Sequence, residues 1–132
     1  MSTTENNPLA ALHQAAEAVR QQLQVNAFDA AAVQHLADFI EAQRPTLKPD
    51  DRQGVITALG CFLGECMVQT FGGQWAAGPD GSTGVGIGGQ HFFNPFYRID
   101  QQLTHGLQES VAAFFASVPN RMEEKVQRKS WI

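Results

Sequence analysis

Apolar residues recur at spacings of three and four through most of the chain, which is the signature of amphipathic helices. Leu9, Leu12, Ala16, Val19 and Leu23 form one narrow stripe, and Asn7 followed by Pro8 supplies an N-cap and a first helical position. A second helix is predicted from Asp29, carrying Val33, Leu36, Ala37 and Ile40, and ending where Arg44-Pro45 and Lys48-Pro49 interrupt it. The strongest pattern lies between Asp50, read as an N-cap, and Gly72, read as a C-terminal stop. Val55, Ile56, Leu59, Phe62, Leu63, Cys66, Met67 and Thr70 give this third helix a wide buried face, suited to the centre of a small domain. Gly60 and Gly64 flank that face one turn apart. Each costs about 1 kcal/mol relative to Ala in a helix interior, so close packing of another element against that flank is predicted.

The texture changes after Gly72. Most of the chain's twelve glycines fall between 72 and 89, with Trp75, Val85 and Ile87 among them. Gly78-Pro79-Asp80-Gly81 is a turn sequence, because Pro presets φ at the first central position, Asp suits the second, and Gly accepts the reversal after them. A β-hairpin is therefore predicted over 74–77 and 83–88, with Val85 and Ile87 facing the helices. Asn94-Pro95 repeats the earlier cap signature and opens a helix with Phe96, Ile99 and Leu103, closed by Gly106. Val111, Phe114, Phe115 and Val118 mark a further helix that Pro119 is expected to stop. The expected fold is α+β and mostly helical: a central helix packed against a short antiparallel β-hairpin, with helical N- and C-termini. One domain is expected over 1–132, with 1–7 and about 120–132 peripheral.

Composition refines this picture. A 43% hydrophobic and 17% charged chain of 132 residues reads as globular rather than disordered. No apolar run is read as reaching bilayer length, the polar start lacks a secretory pattern, and two cysteines that cannot bridge on one helix suit a reduced, cytoplasmic setting. Residues 1–118 hold five basic and eleven acidic side chains, whereas 119–132 hold Arg121, Lys125, Arg128 and Lys129 against Glu123 and Glu124. An acidic body argues against nucleic acid as a partner, and the weakly basic end is too little for a membrane. Cys61 and Cys66 lie about 140° apart on one helix and are expected as free, buried thiols.

Candidate chemistry is sparse. Gly84-Val85-Gly86-Ile87-Gly88-Gly89 satisfies G-x-G-x-x-G, but no helix begins at its last glycine, so a dinucleotide cofactor is not expected. His13, His35, His91 and His105 are scattered without metal-ligand spacing, and no metal or other cofactor is predicted. Glu65 is the carboxylate of greatest interest, on the rim of the central helix. It reads as a solvated flank residue or a structural acid holding backbone N–H groups of the Gly-rich turn, or else as a ligand-facing acid beside His91 or Arg98. Trp75, Phe92, Phe93, Phe96 and Tyr97 crowd the following segment, and Trp and Tyr at a surface favour partner binding.

Leu59-Gly60-Cys61-Phe62-Leu63-Gly64-Glu65, Phe71-Gly72-Gly73-Gln74-Trp75, Asn94-Pro95-Phe96 and Leu103-Thr104-His105-Gly106 appear in that order. This arrangement resembles a group of small bacterial proteins sharing L-G-x-x-L-G-E, G-G-x-W and P-F, over about 55–118. That group has no established activity. The resemblance implies close packing of the central helix against the β-segment at Gly60 and Gly64, beside which Gly72, Gly73 and Pro95 are also read as structural. By analogy with small acidic proteins of toxin and secretion loci, it implies an immunity-type function. The expectation is thus a non-enzymatic protein-binding module of immunity or inhibitor type, with Glu65, Trp75, His91, Tyr97 and Arg98 as candidate binding residues. The partner is expected to be another protein, and self-association is compatible with the same reading. The alternative is a small-molecule binder or small hydrolase with Glu65 and His91 in a cleft near Trp75.

Overall fold

The computed structural model describes residues 8–78, 81–89 and 91–131, with side chains described from 9 to 122 within these ranges. The chain forms α1 (Pro8–Leu23), α2 (Ala30–Gln43), α3 (Pro49–Phe71), β1 (Gln74–Ala77), β2 (Thr83–Ile87), β3 (His91–Phe93), α4 (Pro95–His105), a 3-10 turn (Gly106–Glu109) and α5 (Val111–Trp131). The fold is α+β and mostly helical, as the sequence pattern indicates. The expected Asn7 cap, Pro79 and Asp80 of the turn, and the side chains of Lys125, Arg128, Lys129 and Trp131 lie outside the described residues.

Local chemistry sets most helix starts. Asp29 Oδ1 accepts from the Ala32 N–H at 2.9 Å and caps α2, and Asn94 accepts from the Tyr97 N–H at 3.1 Å and caps α4. Ser110 Oγ accepts from the N–H groups of Ala112 and Ala113 at the head of α5. The cap of α3 differs from expectation. Pro49 occupies the first helical position after Lys48, and Asp50 falls inside the first turn beside Asp51. Pro fixes the helical φ there, and both carboxylates face the positive end of the helix dipole. Gly72 ends α3 in the left-handed region at φ +73°, as anticipated.

Helix α3 is the centre of the core, with α1, α2, α4 and the sheet around it. Its expected single buried face is in fact a buried belt: every residue from Leu59 to Met67 is buried, whereas Val55 is half-buried and Thr70 exposed. Among the described residues α3 is long and apolar enough to cross a membrane by length and hydropathy, which corrects the expectation that no segment is. Encirclement by other elements accounts for that apolarity. Cys61 and Cys66 are both free and buried, and burial pushes both thiols up from the ordinary 9.0. A thiol-specific disulfide reagent at pH 8 is therefore expected to leave the native protein unlabelled and to label both cysteines in denaturant. Above about pH 9 the unfolded chain releases these protons before the folded one, so stability should fall as pH rises there.

The sheet has three strands in the order β1-β2-β3, both pairs antiparallel. The β1–β2 hairpin forms at the predicted place, but Gly88 belongs to the following turn rather than to the strand. Gly88 and Gly89 both take positive φ and reverse the chain into β3, which the sequence pattern did not predict. Val85 and Ile87 are buried against the helices.

Pro119 does not stop α5; it lies inside the helix. Its missing N–H removes one intrahelical bond, and the Ser117 hydroxyl donates to the Phe114 carbonyl at that turn. One side chain with no sequence signature ties three helices together. Gln102 of α4 is wholly buried, donates to the Ala37 carbonyl and the Glu41 carboxylate of α2, and accepts from the Val111 N–H of α5.

Candidate functional site

Glu65 stands in the buried belt of α3 with 8% exposure. One of its oxygens accepts from the Trp75 indole N–H at 3.3 Å and lies 3.4 Å from His13 Nε2 of α1, while the other accepts from Gln69 at 3.0 Å. The carboxylate thus does not hold backbone N–H groups of the Gly-rich turn; three side chains hold it, and it links α1, α3 and β1. His13 is the residue that sequence reasoning missed here, since only folding brings α1 beside Glu65. The contact with Trp75 depends on Gly64, because a Cβ there would fall inside the indole ring. Gly60 plays the same part against Phe96 of α4 rather than against the β-segment, which corrects half of the expected packing. The Trp75 and Phe96 rings meet at 6.1 Å between centroids.

Gly73 lets the chain leave α3 closely against β2, where a Cβ would meet Val85 at 2.8 Å and the Gly86 carbonyl at 3.0 Å. The strand after it, β1, is an edge. Register puts Trp75, Val85 and Phe93 on the helix-facing side, and Gln74, Gly86 and Phe92 on the other. The Gly78 N–H donates to the Ser82 carbonyl at 2.7 Å and fixes the phase of the β1–β2 ladder. Gln74 and Ala76 accordingly bond to β2, whereas Trp75 and Ala77 turn their backbone N–H and C=O away from it. Among the described residues no strand pairs with that outer edge.

The outer face of the sheet is an open groove of about 630 Å³, lined by Gly72, Gln74, Ala76, Gly86, Gly88, Gly89, His91 and Phe92. Gly86 leaves backbone bare on its floor, and Phe92 lies across Gly78 and Gly84. His91 pairs with Ile87, is buried, and its Nδ1 has no hydrogen-bond partner among the described residues. Paired with Ile87, His91 faces the helices, as Trp75 does, but from β3, on the opposite flank of β2 from β1; neither Glu65 nor Trp75 lines the outer groove. The groove on the outer face is therefore not a cleft shared by Glu65 and Trp75.

Tyr97 and Arg98 lie elsewhere, at the start of α4. Tyr97 is 51% exposed, and the Arg98 guanidinium sits 5.5 Å from its ring and 4.3 Å from that of Phe114 on α5. Arg98 makes no ion pair with Glu65; it lies against the Tyr97 and Phe114 rings, with the charges of Arg121 and Glu109 within electrostatic reach. Burial lowers its pKa, and the charge of Arg121 lowers it further. Pro95 is buried at the first position of α4 and orients this whole turn.

The G-x-G-x-x-G run occupies β2 and the turn after it, with no helix at its end, so it lacks the geometry of a pyrophosphate cradle. No group of three or more His, Cys, Asp or Glu among the described residues is placed to hold a metal ion. The chain matches no protein-family model, no curated protein and no solved structure.

Proposed function

We propose that this chain is a non-enzymatic protein-binding module of immunity or inhibitor type, which receives an extended segment of its partner along the edge of β1. The observation that carries this reading is the unguarded edge itself. Natural sheets blunt exposed edges by shortness, charge, proline or bulges; β1 is short at four residues, but Gln74-Trp75-Ala76-Ala77 carries no charge, proline or bulge. An added strand would take the outward N–H and C=O groups of Trp75 and Ala77, with the open groove beside it for alternate side chains. Glu65 and Gly64 fix Trp75 from behind, so the edge is ordered before a partner arrives. A small-molecule or hydrolytic reading needs convergent polar groups in one cleft, and the sheet groove is not lined by Glu65, which favours the protein-binding reading.

The test is capture of a partner from a lysate by the tagged full chain, compared with Ala77→Lys and Ala77→Pro. Ala77 is exposed, so the lysine should change the thermal midpoint little while placing charge on the edge. A stoichiometric protein held by the parent and lost from both variants is the expected result. A partner held equally by both variants, or retention of a metabolite alone, would overturn the reading.

A further inference from the structure

Five arginines have described side chains, and they divide into two kinds. Arg20 pairs with Glu17 at 2.6 Å, Arg44 with Glu41 at 3.1 Å and Arg52 with Asp100 at 2.6 Å. Arg98 and Arg121 pair with no carboxylate among the described residues. Both turn instead onto the Phe114 ring, with guanidinium carbons 4.3 Å and 5.4 Å from its centroid. Arg121 is further held by donation from Nε to Ser117 Oγ at 2.6 Å, and the exposed Tyr97 ring flanks Arg98.

Two like charges gathered on one ring repel each other, partial burial of Arg98 removes water that would screen them, and the Glu109 carboxylate offsets the repulsion only in part, since the Arg98 pKa is still lowered. A guanidinium held against a ring can still make a forked contact with an oxyanion, for Arg121 through its two terminal nitrogens because Nε is bonded to Ser117. The patch adjoins β3, whose Phe93 packs against Phe114 at 5.9 Å, at the side of the sheet away from β1. It is a local positive site on a body with eleven acidic and five basic side chains over 1–118. That surplus disfavours an extended polyanion such as nucleic acid or an anionic membrane, but not a short acidic segment that meets only the patch.

We propose that Arg98 and Arg121, flanked by Tyr97, form a receptor for the carboxylates of a short acidic segment of a partner protein. The choice of a protein occupant rests on the protein-binding reading, but the site is separate from the β1 edge. Each guanidinium would take a carboxylate through two parallel N–H···O bonds, and the Tyr97 ring would cover the neighbouring part of the segment.

Titration of the full chain with a hexaglutamate peptide tests this, with inorganic phosphate as the comparison ligand. Saturable binding that weakens with added salt is expected, reduced about tenfold or more in Arg98→Gln and in Arg121→Gln. Arg121 is exposed, so its variant keeps the test sound if Arg98→Gln disturbs packing on Phe114. Binding should be unchanged in Ala77→Lys, which separates this site from the edge. No saturable binding at millimolar peptide, or binding unchanged in Arg121→Gln, overturns the proposal. Equal occupancy by phosphate at the same concentration also overturns it, because the patch would then be a small-anion site. Loss of peptide binding to the edge variant alone would refute the separation of the two sites. Partner capture that fails in Ala77→Lys while the peptide never binds would sink the receptor and leave the edge reading intact.

Discussion

Gly64→Leu is expected to lower the thermal midpoint by roughly 6–10 °C. Any side chain at this position enters the space of the Trp75 indole. The indole has little freedom to withdraw, since its N–H is bonded to Glu65 and its ring packs beside Phe96. Overpacking of this kind costs about 3 kcal/mol, and replacing a helical glycine returns about 1 kcal/mol. The net loss of about 2 kcal/mol converts at about 3–5 °C per kcal/mol for a chain of this size. Gly54→Ala provides the opposite sign on the same helix. Beyond its own turn of helix backbone no atom lies within 4 Å of a Cβ there, so only the helix-propensity gain remains and the midpoint should rise by a few degrees. If both variants melted within two degrees of the parent, Trp75 would not be seated over Gly64.

The seating of Trp75 over Gly64 was legible in the sequence only in part. Two glycines in a strong helical pattern signal a close approach, and the sequence indicates it without naming the neighbour. Trp75 proves to be the neighbour of Gly64, whereas Gly60 meets Phe96 across a different interface. Features set by adjacent residues were the most legible. Asp29 and Asn94 cap their helices because their side-chain oxygens reach N–H groups three residues on, and Gly72 stops α3 because it alone enters the left-handed region cheaply. Strand β3 was not legible. Three residues are too few to display alternation, and His91–Phe93 becomes a strand only by pairing with β2. Pro119 misled for a related reason: a lost N–H weakens a helix, but the residues on its C-terminal side decide whether the helix ends.

The candidate site divides in the same way. Glu65 could be singled out as an isolated carboxylate on the rim of an apolar face, yet its partners come from α1 and β1 and leave no trace in spacing. Tyr97 and Arg98 could be noted as an aromatic and a charge in sequence. Their convergence with Arg121 on Phe114 requires α4 and α5 to be packed first. The unguarded character of β1, by contrast, is written directly in Gln74-Trp75-Ala76-Ala77 once the hairpin register is fixed.

Gln102→Met should destabilise the protein by about 3–4 kcal/mol, although it nearly conserves volume and adds apolar surface. The amide is fully buried and uses both ends: Nε2 donates to the Ala37 carbonyl at 3.0 Å and to Glu41 Oε2 at 2.8 Å, and Oε1 accepts from the Val111 N–H at 2.9 Å. The thioether replaces none of these bonds. The Val111 N–H, at the first turn of α5, would be left buried without a partner at a cost of about 1–3 kcal/mol, and a bond to a charged acceptor would be lost as well. Urea unfolding should show a lower midpoint at unchanged slope. Gln102→Glu separates this account from simple misfit of the side chain. Its carboxyl would face the Ala37 carbonyl and the Glu41 carboxylate, both acceptors, so the folded state would favour the protonated acid. A folded pKa raised above the unfolded value of about 4.3 gives stability that is present below that value and is lost as pH rises. The difference in stability between the parent and Gln102→Glu should therefore widen from pH 4 to pH 7. A difference independent of pH over that range would mean that the amide is not bonded between the two helices as described.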